Sequence, residues 1–232
     1  MESSNQASIS VKAIARTIFS TLPAYYDSVV MLMTFYRDRA WKFSLLRYID
    51  TPKRAKIADV GSGTALLEGY LTDQEFICGI DISLDMLYFA KEKRFSSLEL
   101  VLGDAEKLPL RNNAFDTVFS CYVVKYCNTF TFVNEVYRIL KRGGKLGLYD
   151  FSKPSGVSAP LHALYAYGTL KLLGYLMLAI KKEIAYTFLK LPNLIINSVW
   201  EEKIEEALER TGFQNISSTL KLGARLCWAK KS

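Results

Sequence analysis

The chain has very little histidine, and its few cysteines are not arranged in pairs. Of 232 residues only His162 is a histidine, which excludes histidine-rich zinc sites and leaves little support for serine or cysteine triads. The four cysteines, at positions 78, 121, 127 and 227, contain no Cys-x-x-Cys pair. Because the sequence also shows no secretory signal, we expect reduced thiols and a cytoplasmic protein. We predict no metal site.

The sequence also has no long apolar run and no phosphate-binding loop. No apolar run reaches the roughly 20 residues of a membrane-spanning helix, and no Gly-x-x-x-x-Gly-Lys phosphate-binding loop occurs. The chain is nevertheless basic, since 30 Lys and Arg against 23 Asp and Glu give a net charge of +7. The basic residues are spread along the sequence, so a solvated surface explains them and we expect no nucleic-acid partner.

Strand-like and helix-like patterns alternate in the middle of the chain. Half of all residues are hydrophobic, as in an ordinary globular domain. Strands are predicted at residues 56–60, 76–80, 98–102, 115–124 and 145–151, and helices at residues 65–71, 83–93 and 130–141. This alternation favours a parallel sheet with helices on both faces and a ligand site at the carboxyl ends of its strands.

The two ends of the chain add further elements. Residues 1–50 are apolar at helical spacing with a break at Pro23, and they predict two helices that form a lid. Residues 51–153 form the α/β core, and residues 154–195 are a helical insertion after the fifth strand. In residues 196–232, a capping box at Ser198 opens a helix that ends before Gly212, and two strands joined by a short turn predict an antiparallel pair.

The turn after the first strand has the features of a ligand-binding loop. Gly61 and Gly63 stand between a strand and a helical stretch, where glycine lets the backbone approach a ligand closely. Leu66 occupies the place of the third small residue in a dinucleotide-binding loop, and Asp59 would repel a pyrophosphate. A cationic ligand without phosphate fits better. S-adenosylmethionine, which carries a sulfonium and an amino group, is such a ligand.

Two more acidic residues follow the next two strands. Asp81 stands 22 positions after Asp59, where a carboxylate can accept hydrogen bonds from both hydroxyls of a ribose. Asp104 follows the third strand and could meet an adenine amino group. Each acid alone is also compatible with a helix cap or a turn. Three acids at the ends of three successive strands favour a cofactor site.

Several phrases resemble, in order and spacing, those of class I S-adenosylmethionine-dependent methyltransferases. They are Asp59-Val60-Gly61-Ser62-Gly63-Thr64, Gly79-Ile80-Asp81, residues 103–109, Phe115-Asp116 and residues 137–144. Tyr26-Asp27, Arg39-Ala40-Trp41 and residues 149–154 extend the likeness to the ubiquinone/menaquinone-biosynthesis C-methyltransferases. The resemblance implies a Rossmann-like, seven-stranded, mostly parallel sheet and methyl transfer from S-adenosylmethionine.

The same resemblance implies a set of cofactor-binding residues. By position, Gly61, Gly63 and Thr64 surround the amino acid end of the cofactor, and Asp81 binds the ribose. Asp104 and Ala105 lie at the adenine, and Cys121 lies near the methyl donor. The predicted set is completed by Asp59, Ser62, Ile82 and Tyr26.

The chain departs from the family where the acceptor is expected to bind. Residues 123–126 read Val-Val-Lys-Tyr instead of Gly-Leu-Arg-Asn, and Asp150 replaces a glutamate. If the acceptor is an aromatic carbon beside a phenol, a general base helps. Asp150 and Tyr126 are candidates, as are Tyr25 and Tyr26, and Lys125 could stabilise the phenolate. The alternative is that Asp150 caps the strand end and Lys125 is solvated.

The insertion is rich in Leu, Tyr and Ala, and lysines at 171, 181 and 182 bracket its most apolar run. An interfacial helix, a substrate lid, and a core or dimer-contact helix are all compatible with this pattern. His162 is expected to be a packed or surface side chain. Peripheral contact with the inner face of a membrane and homodimerisation are open hypotheses.

We predict methyl transfer from S-adenosylmethionine to a small, lipophilic acceptor, such as C-methylation of a prenylated quinol precursor. An O- or N-methyltransferase acting on another small molecule is one alternative. A non-catalytic membrane- or protein-interaction module is the other.

Overall fold

A seven-stranded sheet with the strand order β3-β2-β1-β4-β5-β7-β6 forms the centre of the fold. A computed structural model describes residues 2–71, 74–153, 159–179 and 181–232. Its strands are β1 (Lys56–Val60), β2 (Phe76–Asp81), β3 (Leu98–Leu102), β4 (Phe115–Cys121), β5 (Leu140–Phe151), β6 (Phe213–Lys221) and β7 (Ala224–Lys231). The first five strands are parallel, and β7 runs antiparallel between β5 and β6. The predicted Rossmann-like sheet is confirmed.

Helices cover both faces of this sheet. They are α1 (Glu2–Thr21), α2 (Pro23–Met33), α3 (Arg37–Ile49), α4 (Leu84–Glu92), α5 (Thr129–Ile139), α6 (Ala159–Ala163), α7 (Thr169–Met177), α8 (Lys182–Asn197) and α9 (Trp200–Thr211). Short 3-10 turns lie at Glu68–Tyr70 and Val124–Tyr126, and a π-helical turn lies at Leu164–Gly168. None of the described helices is long and apolar enough to cross a membrane.

Local side-chain chemistry sets several helix ends. Ser83 Oγ caps α4 by accepting a hydrogen bond from the Met86 amide at 3.3 Å, and Asn128 Oδ1 caps α5 in the same way. Pro23 stands at the first position of α2, where its missing amide hydrogen costs nothing. Gly212 ends α9 with a φ of 100°, as the sequence predicts.

The core has two halves because the parallel strands are buried on both faces. On one face, α5 and α9 bury side chains such as Phe132 and Ile204 against the sheet. On the other, Trp41 and Leu45 of α3 pack with Tyr149 of β5. This second half fastens the amino-terminal helices to the strands that carry the site.

Four local predictions were wrong, and left-handed backbone explains three of them. The amino-terminal segment forms three helices, because Phe35 and Tyr36 adopt positive φ between α2 and α3. Residues 65–71 form turns and a 3-10 turn, and Ala65 has a φ of 61°. The fourth strand ends at Cys121, where Tyr122 follows with a φ of 64°.

The fourth wrong prediction is the capping box at Ser198. The N-cap position is Val199, and Ser198 Oγ accepts only a long hydrogen bond of 3.4 Å from the Trp200 amide. Glu201, which the box requires, instead accepts hydrogen bonds from the Lys153 amide and from Arg225. Hydrogen bonds to residues distant in sequence have therefore replaced the local capping hydrogen bond of Glu201. The insertion is helical, as predicted, over most of its described residues, 159–179 and 181–195, and the side chain of His162 lies outside what the structure describes.

Candidate active site

One buried carboxylate joins the turn after β1 to the turn after β2. Asp81 Oδ2 accepts a hydrogen bond from the Gly63 amide at 2.9 Å, and Oδ1 accepts one from the Ser83 amide at 2.9 Å. Burial raises the pKa of Asp81, although hydrogen bonds from the Ser83, Gly63 and Ile82 amides oppose it. Three amide donors leave the carboxylate with acceptor capacity for a ligand hydroxyl.

The glycines of the first turn have the backbone that the prediction requires. Gly61 and Gly63 adopt φ values of 81° and 55°, a region that costs glycine nothing. A Cβ at Gly61 would lie 2.0 Å from Val123 Cγ2. The turn therefore lies directly against the segment that follows β4.

A cavity of about 660 Å³, partly open to solvent, lies at this edge of the sheet. Most of the predicted cofactor-binding residues line it: Tyr26, Gly61, Gly63, Asp81, Ile82, Asp104, Ala105 and Cys121. Helix α1 closes one side with Lys12, Ala15 and Phe19. These three could not be predicted as site residues, because their spacing on α1 is that of any amphipathic helix. Their roles toward a ligand, like those of the predicted residues, stay predictions.

Three predicted cofactor residues lie behind the lining instead of in it. Asp59, Ser62 and Thr64 are 2%, 7% and 2% exposed. Thr64 donates its hydroxyl hydrogen to Asp27, whose other carboxylate oxygen binds Lys93 at 2.9 Å. Thr64 therefore connects the glycine turn to α2 and α4.

Asp104, predicted to meet an adenine, is paired with a lysine from α1. Lys12 Nζ lies 3.0 and 2.8 Å from the two Asp104 oxygens and 3.1 Å from Glu106 Oε2. Burial alone would raise the pKa of Asp104, but hydrogen bonds from Lys12 and from the Glu106 amide outweigh it and lower the pKa. Asp104 thus holds α1 over the cavity.

Asp59 and Glu68 form a buried pair of carboxyl groups beneath the glycine turn. Glu68 is 3% exposed, and its charge acts on the pKa of Asp59. Asp59 Oδ1 and both Glu68 oxygens have no hydrogen-bond partner among the described residues. Two neighbouring buried carboxylates repel each other, so the pair holds one shared proton.

Both carboxyl groups of this pair have raised pKa values. Burial raises the pKa of Glu68 to about 7, with Asp59, Lys93 and Lys42 opposing the rise. Burial and the charge of Glu68 raise the pKa of Asp59 well above its ordinary value, while Lys42 lowers it and Asp81 adds to the rise. The shared proton is therefore retained close to neutral pH.

The three predicted catalytic residues lie together after β4 and at the end of β5. Lys125 Nζ donates hydrogen bonds to Asp150 Oδ1 at 2.8 Å and to the Tyr122 carbonyl at 2.5 Å. The Lys125 and Asp150 side chains are 1% and 0% exposed, so the alternative of a solvated Lys125 is wrong. Lys125 Nζ lies 4.3 Å from the centre of the Tyr126 ring.

Burial decides how this ion pair titrates. It lowers the pKa of Lys125 and raises the pKa of Asp150, and the attraction between the two charges opposes both shifts. Asp150 also accepts hydrogen bonds from the Lys125 and Phe151 amides. The Asp150 carboxylate is not among the residues that line either cavity, and its charged partner is Lys125.

A second, smaller cavity of about 420 Å³ adjoins the first. Phe19, Tyr26, Tyr122 and Tyr126 line both cavities. The remaining walls of the second are Ile18, Leu22, Val29, Val30, Met33, Lys125, Phe151, Thr187 and Leu191. Lys125 is its one charged lining residue in the described part of the chain.

A buried network supports the wall between the two cavities. Asp38 Oδ1 accepts hydrogen bonds from the hydroxyls of Tyr122 and Tyr149, each at 2.8 Å. Asp38 Oδ2 binds Lys42 at 2.5 Å. Since Asp38 and Lys42 belong to α3, the position of Tyr122 depends on how α3 packs on the sheet.

The residues present fit S-adenosylmethionine. The Asp81 carboxylate lines the cavity and can accept a hydrogen bond from a ribose hydroxyl, and Phe19, Ile82, Met86 and Ala105 provide apolar surface for a flat base. The acidic lining disfavours a pyrophosphate. A doubly wound sheet with this turn and acid defines a class I S-adenosylmethionine-dependent methyltransferase.

Comparison with known proteins identifies the family within this class. Residues 5–227 match the model of the ubiE/COQ5 methyltransferase family, and the chain belongs to that family. The chain is therefore a S-adenosylmethionine-dependent methyltransferase, and not the non-catalytic module considered from its sequence.

Individual relatives agree with this assignment. The chain is 30% identical to a demethylmenaquinone methyltransferase of Tropheryma whipplei strain Twist over 210 residues, 87% of this chain and 84% of the relative. A protein of the same name from Streptomyces avermitilis is 30% identical over 151 residues, 64% of each chain. A solved structure of a putative S-adenosyl-L-methionine-dependent methyltransferase from Methanococcus maripaludis shares the fold, with a TM-score of 0.61, 18% identity and coverage of 92% and 94%.

We expect Asp81→Ala to weaken S-adenosylmethionine binding about 10- to 100-fold, because it removes charge-assisted hydrogen bonds to the ribose. Isothermal titration calorimetry measures the dissociation constant, and circular dichroism checks the fold. Asp85→Ala, an exposed acid on α4, is the matched control. An unchanged affinity in folded Asp81→Ala protein would refute the ribose assignment.

Glu68 should make stability depend on pH. Its folded pKa of about 7 exceeds the ordinary value of 4.5, so its contribution is complete below pH 4.5 and is lost as the pH rises through 7. We expect Glu68→Gln to flatten the fall in the free energy of unfolding over this window, measured by urea denaturation. Glu209→Gln, an exposed control, should keep the wild-type slope. Parallel curves for wild type and Glu68→Gln would contradict the shared proton.

Proposed function

We propose that this methyltransferase C-methylates a lipophilic, hydroxylated ring such as a prenylated quinol precursor. The observation that carries the proposal is the second cavity, which is apolar and aromatic, adjoins the cofactor cavity, and has one buried ammonium, Lys125, in its wall. Relatives named demethylmenaquinone methyltransferase support the same substrate class.

The shape of the two cavities supports close approach of donor and acceptor. Bound S-adenosylmethionine supplies an activated methyl group, so the protein needs no covalent nucleophile. Phe19, Tyr26, Tyr122 and Tyr126 border both cavities and would hold a ring in line with the methyl group while they exclude water. The protein's contribution is therefore mainly one of orientation.

Lys125 has the chemistry to activate a phenol. An ammonium has three donors, and two of them bind Asp150 and the Tyr122 carbonyl. With the phenolic proton released to water, the third can donate to the phenolate oxygen in the second cavity and stabilise it, which leaves electron density on the neighbouring ring carbon. That carbon would take the methyl group as its bond to sulfur breaks, and the ring hydrogen would then leave to water as a proton, restoring the aromatic ring. Asp150 keeps the ammonium charged and oriented, and is a positioning residue.

The acceptor class can be tested with the purified protein, labelled S-adenosylmethionine and two kinds of acceptor. We expect labelled methyl transfer to a demethylmenaquinol with a short prenyl tail, and a product that mass spectrometry and NMR show to be methylated on a ring carbon. A catechol without a tail should react poorly. Methylation on oxygen or nitrogen, or preference for the tail-free acceptor, would replace this proposal with the alternative from the sequence.

Lys125→Met should lower kcat about 100-fold, because one donor to the developing oxyanion is lost, and should leave the dissociation constant of S-adenosylmethionine unchanged. Lys125→Arg, which keeps the charge, should recover part of the rate. Because Lys125→Met leaves Asp150 buried without its partner, the Lys125→Met, Asp150→Asn double variant provides a folded comparison. Lys91→Met, an exposed lysine on α4, is the control. Full activity in Lys125→Met would exclude the assigned role.

A further inference from the structure

Helix α7 has one face that packs inward and one apolar face that nothing in the described structure covers. Inward, Leu170 and Gly174 are buried, and a Cβ at Gly174 would meet Leu189 at 2.8 Å and Phe188 at 3.2 Å. The opposite side exposes the outer apolar face, formed by Leu172, Tyr175 and Leu176, which are 59%, 63% and 56% exposed.

The spacing of these residues makes the outer apolar face continuous. Leu172, Tyr175 and Leu176 stand at positions i, i+3 and i+4, which lie side by side on a helix. A helix of the core would turn such a stripe inward, whereas α7 uses a different stripe for its packing on α8. Contiguous exposed apolar surface of this kind marks an interaction site.

The segment of the chain that carries the outer apolar face is basic. Between Asp150 and Glu183 the sequence has no acidic residue and four lysines, at positions 153, 171, 181 and 182. Lys171 is exposed on α7, and Lys181 and Lys182 are exposed at the start of α8, where Lys181 Nζ also contacts the hydroxyl and the ring of Tyr25. Large apolar side chains beside exposed lysines, without acids, match the chemistry of an anionic lipid surface.

The outer apolar face belongs to the helical layer that covers the second cavity. Helix α8 packs against α7 on one side, and its Thr187 and Leu191 line the second cavity. Leu170 and Phe188 form a small core with Val29 of α2, and α2 also lines that cavity. A bilayer on the outer face would thus lie against the cover of the proposed acceptor site.

We propose that α7 docks by its outer apolar face, with the flanking lysines, onto an anionic phospholipid bilayer. The proposal deepens the proposed function, because a prenylated acceptor resides in a bilayer, but vesicle binding is measured without turnover. Tyr175 and the leucines enter the boundary between headgroups and acyl chains, and the lysines pair with phosphates.

The experiment is flotation of the full chain with vesicles of phosphatidylcholine alone or mixed equally with phosphatidylglycerol. We expect binding to the mixed vesicles that weakens as salt rises. A Leu172→Ser, Tyr175→Ser, Leu176→Ser triple variant should bind at least about tenfold more weakly. The control is Leu220→Ser, Leu222→Ser in the β6–β7 hairpin, where the leucines are 49% and 56% exposed, and it should bind as wild type does. Circular dichroism and calorimetric titration of S-adenosylmethionine verify both variants.

Each outcome bears on one proposal. If wild type fails to float, or the triple variant floats equally well, the docking surface is refuted, whatever the acceptor assay gives. If the triple variant fails to float but light scattering shows that it also changes a dimer to a monomer, the face is an interface between copies and the bilayer proposal is overturned. Vesicle binding without methylation of a quinol would sustain the docking surface and refute the proposed acceptor.

Discussion

The geometry of the site depends on the buried carboxylate of Asp81, which binds two backbone amides from different turns. Its hydrogen bonds to Gly63 and Ser83 hold the glycine turn after β1 and the start of α4 at a common edge. A buried carboxylate without such donors would be costly, so the two turns and the acid require one another. The cofactor cavity lies where they meet, beside the point at which the strand order reverses.

The amino-terminal helices form the walls of the two cavities that the sheet leaves open. Helix α1 closes the cofactor cavity, where Lys12 pairs with Asp104. From α3, the buried Asp38 carboxylate accepts hydrogen bonds from the hydroxyls of Tyr122 and Tyr149. The wall between the two cavities thus depends on packing between segments that are far apart in the chain. Lys125, which lines the second cavity, is a compact point charge, so it can serve one acceptor oxygen, whereas a guanidinium would present a planar fork.

Strand and turn chemistry could be predicted where the local pattern agreed with the global fold. The extents of β1 and β3, the antiparallel end of the sheet and the Gly212 helix end all follow from apolar periodicity and glycine placement. Predictions failed where one residue took a left-handed conformation, as Ala65 and Tyr36 do. They also failed where a residue distant in sequence replaced the expected local hydrogen-bond partner, as Lys153 and Arg225 do for Glu201. Neither the left-handed conformation nor the long-range hydrogen bond can be predicted from the local sequence.

The sequence by itself determined the class of fold and the edge of the sheet at which the cavity lies, because acids and glycines that end successive parallel strands must meet at one edge. Only the tertiary structure decided which of those residues reach the cavity. It buried Asp59 beside Glu68 and Lys125 beside Asp150, and it divided the apolar insertion into an inward and an outward face. Burial and pairing are decided by residues far apart in the chain, and their encounter is a property of packing that no sequence window contains.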